Sequence, residues 1–456
     1  MLDDTIAAIS TPLGEAGLAV IRISGPAAPA IASEIFRLPS GKNFLPASAA
    51  SHKFYYGKVT HRGKWLDEAL LVLFKAPRSF TREDVVEIHC HGGVLPAKKI
   101  LDAVFEHGAR MAGPGEFTKR AFLNGRIDLT QAEAIADLIH SKTELALSAA
   151  SEQLAGKLAS RIEKLRDGLM RTLAHVEAYI DFPDEDIAPD TMETIQASVE
   201  QTLQGIDLLL ATAQEGQILR RGVRAAIIGR PNVGKSSLLN QLLGRERAIV
   251  SPVPGTTRDT IEEMANIRGL PIIFVDTAGL RQSEDVIEAE GIRRSHETRA
   301  RAELILHVLD HSESLSPEDE TYLQSWPGKK RILVINKSDL PGRLHLPDGI
   351  QSPVIKVSCV TGAGLEELKD CIEKLVWGGE VQNEMLEVMI NSRHQEALLR
   401  AQAALLRTRA TLLAQDPLEL SALELRLAVN AIGEIVGKTS TEDLLDSIFS
   451  QFCIGK

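Results

Sequence analysis

One short segment constrains this chain more than any other: Gly229-Arg-Pro-Asn-Val-Gly-Lys-Ser236. It fits the pattern GxxxxGK[ST], follows the apolar segment Val223 to Gly229 and precedes a helical pattern from Ser237 to Leu243. In such an arrangement main-chain N–H groups surround phosphate oxygens at a helix N-terminus, and the lysine contacts the β- and γ-phosphates. The order of strand, loop and helix predicts a phosphate-binding loop. An ordinary glycine-rich turn is the alternative interpretation.

Two motifs further along the chain predict magnesium binding. Gly255-Thr-Thr-Arg-Asp259 resembles a switch segment, in which Thr257 completes magnesium coordination and senses the γ-phosphate. The apolar segment Leu270 to Asp276 then leads to Asp276-Thr-Ala-Gly279, where Asp276 holds the metal through water. Both motifs follow predicted strands, at the positions where open α/β sheets bind ligands, and this succession argues against the glycine-rich turn.

The last two motifs predict recognition of a guanine base. The apolar segment Arg331 to Ile335 precedes Asn336-Lys-Ser-Asp339, and the Asp339 carboxylate can accept hydrogen bonds from guanine N1–H and the exocyclic amine. Adenine cannot donate this pair, and an acceptor left unpaired discriminates between ligands by ~10⁴ or more. Val354 to Ser358 resembles the final strand, after which the backbone amides of Ser358-Cys-Val can meet the guanine oxygen. The sequence therefore predicts GTP binding.

The sequence indicates the residues for GTP hydrolysis less directly than those for GTP binding. A Ras-type switch has a water-orienting Gln after the Asp-x-x-Gly motif, but this chain has Leu280 there. The acidic run from Glu284 to Glu290 contains candidate replacements, although an ordinary solvated charge run is the alternative. Asn232 can help to coordinate a monovalent cation such as potassium beside the phosphates, or it can simply stabilise the turn.

Hydrophobic periodicity divides the rest of the chain. The first ~120 residues read as mixed α/β, because the apolar runs Gly17 to Ile23, Glu68 to Phe74 and Asp84 to Ile88 lie between Gly and Pro residues. From Leu129 to about Ile180, apolar residues recur at helical spacing with almost no Gly or Pro. This spacing predicts long helices with one buried face.

A second helical pattern, from Met192 to Ala213, is expected to end at Gly216. Short β-branched runs then alternate with helical ones until about Trp377, which predicts an α/β domain. The Leu- and Ala-rich helical pattern returns after Gly379 and continues to Phe452. The simplest architecture is a helical domain interrupted by an inserted α/β domain, because domain termini usually lie close together at the surface.

Charge and cysteine usage exclude several classes of protein. The formal net charge of -11 argues against non-specific coating of nucleic acid, so an RNA partner has to use a local patch. No CxxC spacing links Cys90, Cys359, Cys371 and Cys453, so neither a disulfide framework nor a zinc ribbon is indicated. An acidic N-terminus and the lack of a long apolar run predict a soluble cytoplasmic protein that does not enter a membrane.

Longer segments resemble one particular family. They are Ala19-Val-Ile-Arg-Ile-Ser-Gly25, His91-Gly-Gly93, Pro114-Gly-Glu-Phe-Thr-Lys-Arg-Ala-Phe-Leu-Asn124, Asp128-Leu-Thr-Gln-Ala-Glu-Ala-Ile-Ala-Asp137, Asp181-Phe-Pro-Asp184, Gly255-Thr-Thr-Arg-Asp259 and Phe452-Cys-Ile-Gly-Lys456. These segments resemble the tRNA-modification GTPases called MnmE or TrmE, and the match runs nearly from end to end. The fold class that this resemblance implies is α/β plus α, with a Ras-like, doubly wound P-loop G domain.

The resemblance implies four segments: an N-terminal domain that binds folate and dimerises (1–119), two parts of a discontinuous helical bundle (120–215 and 379–456), and the inserted G domain (216–378). It also implies a homodimer that forms a hetero-oligomer with an FAD-dependent partner. Such proteins add an aminomethyl or carboxymethylaminomethyl group at C5 of the wobble uridine of certain tRNAs. A reduced folate, 5-formyl- or methylene-tetrahydrofolate, is the one-carbon donor.

The resemblance also assigns site residues. It places Arg22, Glu87, Arg126 and Lys456 at the folate, where a carboxylate can accept from pterin N–H groups and cations can pair with carboxylates. The family usually has Lys at the position of Arg126, so the charge is kept but the geometry is not. Strand alternation is the simple alternative for Glu87, and the adjacent residues His89-Cys90-His91 are a poor zinc ligand set.

For hydrolysis, the resemblance makes Glu288 the residue that orients water and assigns potassium, which binds when two G domains meet, to Asn232, Ser251, Val253 and Thr256. Ser236 and Thr257 are the expected magnesium ligands. The expected GTP-binding residues are Asn232, Val233, Gly234, Lys235, Ser236, Ser237, Ser251, Thr256, Thr257, Asp276, Thr277, Ala278, Gly279, Asn336, Lys337, Asp339 and Ser358.

Two other functions share part of this pattern. A ribosome-assembly GTPase would have the same nucleotide motifs, but it would not need the N-terminal segment or the Cys-Ile-Gly-Lys tail. A self-sufficient folate enzyme with a regulatory GTPase is the other alternative. The sequence has no GxGxxG flavin fingerprint after a strand, so redox chemistry is expected to belong to a partner.

Overall fold

The computed structural model describes residues 4–181, 192–244, 262–275, 302–325, 328–377, 388–439 and 441–456. The chain forms two compact units, one of residues 1–136 and 429–456 and the other of residues 137–428. No helix of the described residues is long and apolar enough to cross a membrane. Predicted sites on residues between these ranges lie outside the described structure.

The described strands form two sheets. In chain order the strands are β1 (Ile6–Ile9), β2 (Leu18–Ser24), β3 (Phe36–Arg37), β4 (Phe54–His61), β5 (Lys64–Phe74), β6 (Val85–His91), β7 (Arg110–Met111), β8 (Val223–Ile228), β9 (Glu263–Ile267), β10 (Leu270–Phe274), β11 (Leu304–Asp310), β12 (Lys330–Asn336) and β13 (Val354–Lys356).

The described helices in chain order are α1 (Ala28–Ile35), α2 (Val94–Glu106), α3 (Glu116–Leu123), α4 (Leu129–His140), α5 (Glu144–Leu154), α6 (Lys157–Asp181), α7 (Met192–Leu210), α8 (Ala213–Arg221), α9 (Lys235–Leu243), α10 (Pro317–Gln324), α11 (Leu365–Trp377), α12 (Ser392–Ala414), α13 (Leu418–Val436) and α14 (Glu442–Phe449).

The first unit contains a seven-stranded sheet in the order β3-β4-β5-β6-β2-β1-β7. All neighbouring strands are antiparallel except β1 and β7, and the β2–β6 register places Arg22 opposite Glu87. Residues of β2 alternate between the two faces, so Ile21 and Ile23 enter a core with Ile31 of α1 and Ile100 of α2. Arg22 is thereby left on the opposite face, where polar chemistry is possible.

The second unit contains a six-stranded sheet in the order β13-β12-β11-β8-β10-β9. Its strands are parallel except for the β9–β10 hairpin. Every residue of β11 is buried, as expected for a strand with both faces covered. In a parallel sheet the carboxyl ends of the strands share one edge, and this edge receives the predicted nucleotide motifs.

Helices that precede and follow this sheet in the sequence pack together within the second unit. α12, which follows the α/β region, packs against α7, which precedes it, and Gln402 Nε2 donates to Asp207 Oδ1 at 2.5 Å. The helical region is therefore discontinuous in sequence. Together with the mixed α/β first unit, this arrangement confirms the predicted fold class; the exact limits of the four segments stay a prediction.

The expected helix end at Gly216 is wrong. The chain enters α8, which continues through Gly216 to Arg221, and Gly222, with φ +74°, follows its last residue. Glycine is required at 216 for another reason, because a Cβ there would collide with the main-chain oxygen of Ile390. A glycine in a helical pattern marked close packing here rather than a stop signal.

Candidate functional site

The phosphate-binding loop connects β8 to α9, in the order that the sequence predicted. Gly234, with φ +98°, precedes the first residue of α9, and a Cβ there would collide with the Asn336 side chain. Asn232 also has a positive φ, +64°, and is exposed, whereas Val233 is buried. Ser236 and Ser237 lie exposed in the first turn of α9, so their hydroxyls and amides are at the helix N-terminus.

Lys235 bends back over this loop. Its Nζ donates to the main-chain oxygens of Gly229 at 2.9 Å and Arg230 at 2.6 Å. The ammonium group is therefore fixed beside the loop whose amides would surround phosphates. This is the position that a point charge needs in order to neutralise β- and γ-phosphates.

Asn336 joins the phosphate loop to the base motifs. Only 2% of its surface is exposed, its Nδ2 donates to Val233 O at 2.9 Å, and its Oδ1 accepts from Cys359 N at 3.3 Å. The buried Asn336 amide therefore links its own segment to those of Val233 and Cys359, which are distant in sequence.

Asp339 follows Asn336 with an exposed carboxylate. The buried Ser358 hydroxyl donates to Asp339 Oδ1 at 2.6 Å and accepts from Thr361 N at 3.2 Å. The carboxylate is thus oriented by the segment whose amides were predicted to meet a guanine oxygen. A fixed acceptor discriminates between bases because the wrong base leaves it unpaired.

Lys337, between these two residues, has φ +62° and forms an ion pair with Asp310, with Nζ 2.6 Å from Oδ2. Burial opposes ionisation of the Asp310 carboxyl, but hydrogen bonds from Lys337 and Ser312 outweigh it and lower the pKa of Asp310. The carboxylate therefore stays charged at neutral pH and holds the lysine in place.

The structure thus brings the predicted residues at 232–237, 336, 337, 339 and 358 to one edge of the sheet. The other predicted GTP and metal residues lie outside the described ranges: Ser251, Val253, Thr256, Thr257, Asp276, Thr277, Ala278, Gly279 and Glu288.

A second group of predicted residues lies on the sheet of the first unit. Arg22 Nε donates to Glu87 Oε1 at 2.8 Å across the β2–β6 pair, and both side chains are mostly buried. The Arg22 guanidinium also lies over the rings of Phe80 and Phe117, at 5.9 and 5.6 Å from their centroids. Aromatic stacking and the carboxylate together fix this cation.

A cavity of about 540 Å³ opens beside this pair. Glu87, Arg126 and Phe80 are among its lining residues, and Arg126 stacks on Phe80 with its Cζ 5.1 Å from the ring centroid. Arg126 also donates from Nη1 to Ser79 O at 2.5 Å. The volume lies within the usual range for small-molecule sites, ~300–1,000 Å³.

Lys456 approaches this region through its main chain. Its main-chain O accepts from Phe117 N at 3.2 Å, and the carbonyl of Gly455 accepts from Ser10 Oγ at 3.0 Å. The C-terminal segment is therefore anchored on the same aromatic residue, Phe117, that supports Arg22.

The segment His89-Cys90-His91 alternates across β6. Cys90 is 1% exposed, and burial raises the pKa of its thiol to about 11. The two imidazoles have separate carboxylate partners: His89 Nε2 lies 3.3 Å from Glu87 Oε2, and His91 Nδ1 lies 2.7 Å from Asp67 Oδ1. The three side chains therefore do not converge on one point.

Sequence reasoning missed two features of these sites. Arg230 and Asp319 pair beside the phosphate loop, with Nε and Oδ2 2.8 Å apart. Ser316-Pro-Glu-Asp319 carries a capping-box pattern that predicts the start of α10, but nothing local indicates its cationic partner. The second feature is Phe80, which stacks against both Arg22 and Arg126 but lies in a segment without hydrophobic periodicity.

Comparisons with known proteins identify the family of the chain. The family described as MnmE helical domain matches residues 129–453, and the family described as GTP-binding protein TrmE N-terminus matches residues 5–126. The tRNA modification GTPase MnmE of Geobacter metallireducens is 47% identical over 460 residues, covering 100% of both chains. The protein of the same description from Geotalea uraniireducens is 48% identical over 458 residues, again covering 100% of both.

Both family matches together span nearly the whole chain, and the relatives align with it over their full length. This chain belongs to the tRNA modification GTPase MnmE family.

Proposed function

We propose that this protein binds and hydrolyses GTP and, with an FAD-dependent partner protein, adds an aminomethyl or carboxymethylaminomethyl group at C5 of the wobble uridine of certain tRNAs. One observation carries the GTP part. Asn336 contacts the loop at Val233 while Ser358 orients the Asp339 carboxylate, an arrangement that supports a phosphate site and a guanine acceptor at one edge of the sheet.

Calorimetry of the full chain with GTP and ATP in the presence of Mg²⁺ tests this part. We expect GTP to bind by far the more tightly, because the Asp339 carboxylate can be satisfied by guanine alone among the two bases. Equal affinities for the two nucleotides, or no binding of either at millimolar concentration, would contradict the proposal.

We infer further that hydrolysis uses Mg²⁺ and K⁺ and that Glu288 orients the attacking water. Among the residues named for potassium, Asn232 is exposed on the phosphate loop with a positive φ, which supports a role beside the phosphates. GTP turnover in potassium is expected to exceed turnover in sodium, and Glu288→Ala is expected to abolish the potassium-stimulated rate. Equal rates in the two salts would refute the cation mechanism; a fully active variant would refute the role of Glu288.

We infer that a reduced folate, 5-formyl- or methylene-tetrahydrofolate, binds in the cavity beside Arg22, Glu87 and Arg126. A carboxylate can accept from pterin N–H groups, and the cavity has the volume of a small-molecule site. Glu87→Gln is expected to weaken binding of 5-formyl-tetrahydrofolate about tenfold, the effect of losing one charge-assisted hydrogen bond of ~1.4 kcal/mol. The matched control Glu106→Gln removes an exposed carboxylate outside the cavity and is expected to bind like the parent.

We infer that the protein acts in the cytoplasm as a homodimer within a hetero-oligomer that also contains the flavoprotein. Exposed apolar side chains on one sheet face support self-association: Phe54, Tyr56 and Leu70 are 56, 53 and 39% exposed on β4 and β5. Trp65, 61% exposed, lies beyond the Lys58–Glu68 pair, with Lys58 Nζ 4.8 Å from its ring centroid. Sedimentation of Trp65→Lys is expected to show monomer where the parent shows dimer. Modification of tRNA with and without the flavoprotein tests the partner, because activity without it would favour a self-sufficient folate enzyme.

A further inference from the structure

We propose that residues 310–319, which connect β11 to α10 and which we call the brace, position both ends of the nucleotide site through two ion pairs. Asp319 of the brace holds Arg230 of the phosphate loop, and Asp310 holds Lys337 of the base motif. This inference rests on the proposed binding of GTP. It adds Arg230, Asp310 and Asp319 as positioning residues that need not touch the nucleotide.

The first pair acts on the phosphate loop. The Arg230 carbonyl accepts from Lys235 Nζ at 2.6 Å, while its side chain leaves the loop toward the brace. There Nε lies 2.8 Å from Asp319 Oδ2, and Nη2 lies 3.0 Å from Glu313 Oε2. The contact with Glu313 is a hydrogen bond, whereas the contact of Nε with Asp319 is an ion pair without hydrogen-bond geometry. The Asp319 side chain is 1% exposed and that of Glu313 is 57% exposed, so solvent screens the charge of Glu313 far more than that of Asp319.

Asp319 is itself fixed by the start of α10. Its Oδ2 accepts from Ser316 N at 3.1 Å and from Ser316 Oγ at 2.9 Å, and Ser316 Oγ accepts from Asp319 N at 3.2 Å. Across the described residues, Arg230 is the cation that forms an ion pair with Asp319. The neighbouring His307 is buried and its pKa is lowered to about 4, so the ring is neutral at pH 7. Placement of Arg230 thus follows from the capping geometry of a helix.

The second pair acts on the base motif. Asp310 Oδ1 accepts from Ser312 N at 2.9 Å and Ser312 Oγ at 2.7 Å, and its Oδ2 pairs with Lys337 at 2.6 Å. The next residue of the brace, His311, donates from its main-chain N to Asn336 O at 2.9 Å. The segment from Asn336 to Asp339 is therefore held on the brace at two adjacent residues.

Loss of each ion pair is expected to cause a different defect in nucleotide binding. A general loss of stability would not produce this difference. Loss of the Arg230–Asp319 pair displaces the loop that holds phosphates, so GTP and inosine triphosphate should weaken by the same factor. Loss of the Lys337–Asp310 pair displaces the motif that carries Asp339, so discrimination between the two should decrease. Inosine triphosphate is a suitable probe because it keeps the phosphates and N1–H but lacks the exocyclic amine.

The experiment measures dissociation constants of GTP and inosine triphosphate with Mg²⁺ for the full chain. The variants are Asp319→Asn, Arg230→Gln, their combination, and Asp310→Asn, with Glu313→Gln as the matched control. Each single change in the first pair is expected to weaken GTP binding about tenfold, which is ~1.4 kcal/mol, and the combination should be no weaker than the worse single variant. Glu313→Gln should bind within about twofold of the parent.

Any of three results would refute the positioning role of the brace. The first is GTP affinities of Asp319→Asn and Arg230→Gln within about twofold of the parent, and the second is losses of binding free energy that add fully in the combined variant. The third is an unchanged preference for GTP over inosine triphosphate in Asp310→Asn. Thermal unfolding without nucleotide identifies any variant that fails to fold. If one single variant of the first pair fails to fold, the other carries the test; Arg230→Lys keeps the charge and should recover most of the affinity that Arg230→Gln loses. If the unmodified protein binds no GTP, the proposed function is refuted rather than the positioning role of the brace.

Discussion

Replacing His307 by Leu should remove an acid-sensitive contribution to the stability of the second unit. His307 lies on β11 with 0% exposure, and neither ring nitrogen has a hydrogen-bond partner among the described residues. Burial lowers its pKa from 6.5 to about 4 and outweighs the opposite effect of Asp319. Leu has a similar volume and no titratable group, so it isolates the proton linkage.

The sign follows from the two pKa values. Below pH 6.5 the unfolded chain protonates this histidine while the folded chain does not until about pH 4, so stability decreases as the pH falls through this window. The full difference is about 3 kcal/mol, and the part lost between pH 7 and pH 5 is about 2 kcal/mol. The His307→Leu variant should not show this loss of stability between pH 7 and pH 5.

Hydrogen exchange of peptides that contain β11, corrected for intrinsic rates, reports the opening free energy at each pH. Other groups also titrate between pH 7 and pH 5, but they are shared by parent and variant and cancel in the comparison. We expect the opening free energy of the parent to decrease by about 2 kcal/mol more than that of His307→Leu. Equal decreases in both proteins would show that the ring does not remain neutral in the folded state.

Three further changes test the sites and the packing. Gly234→Ala should weaken GTP binding at least about tenfold in calorimetry, because φ of +98° and contact with Asn336 exclude a Cβ. Asp339→Asn should lower affinity for GTP and raise it for xanthosine triphosphate, whose extra carbonyl accepts from an amide; unchanged preference would contradict the role of Asp339. Gly216→Ala should lower the midpoint of thermal unfolding, whereas the control Gly168→Ala, with open space around its Cβ, should leave it equal or higher.

The placement of the described nucleotide motifs at one edge of the sheet was predictable because the motifs are local. Each described motif follows a strand, and parallel strands deliver their carboxyl ends to one edge, so the placement of Lys235 and Asp339 at the same edge of the sheet follows from order alone. The pairing of Arg22 with Glu87 was not predictable in this way. No local pattern pairs them, and only the resemblance to a family placed both at one site.

Contacts between distant segments of chain were not predictable. Arg120 in α3 is fully buried, and its guanidinium pairs with Asp4, Glu83 and Glu116. In sequence it is one of several charges on a short helix, and such residues are exposed by default. Glu116 lies four residues earlier on the same helix, but Asp4 and Glu83 come from two other segments, so no single window of sequence contains the carboxylates that make its burial tolerable.

The same kind of contact predicts that base and phosphate recognition are coupled in the proposed site. Asn336 satisfies Val233 O and Cys359 N with one side chain, and Ser358 next to Cys359 orients Asp339. A shift of the phosphate loop would leave a buried amide group unpaired, at about 1–3 kcal/mol, unless the base motif moved with it. Buried polar groups that bridge two loops therefore make the two halves of the site move as one, which a site built from exposed side chains on separate loops would not do.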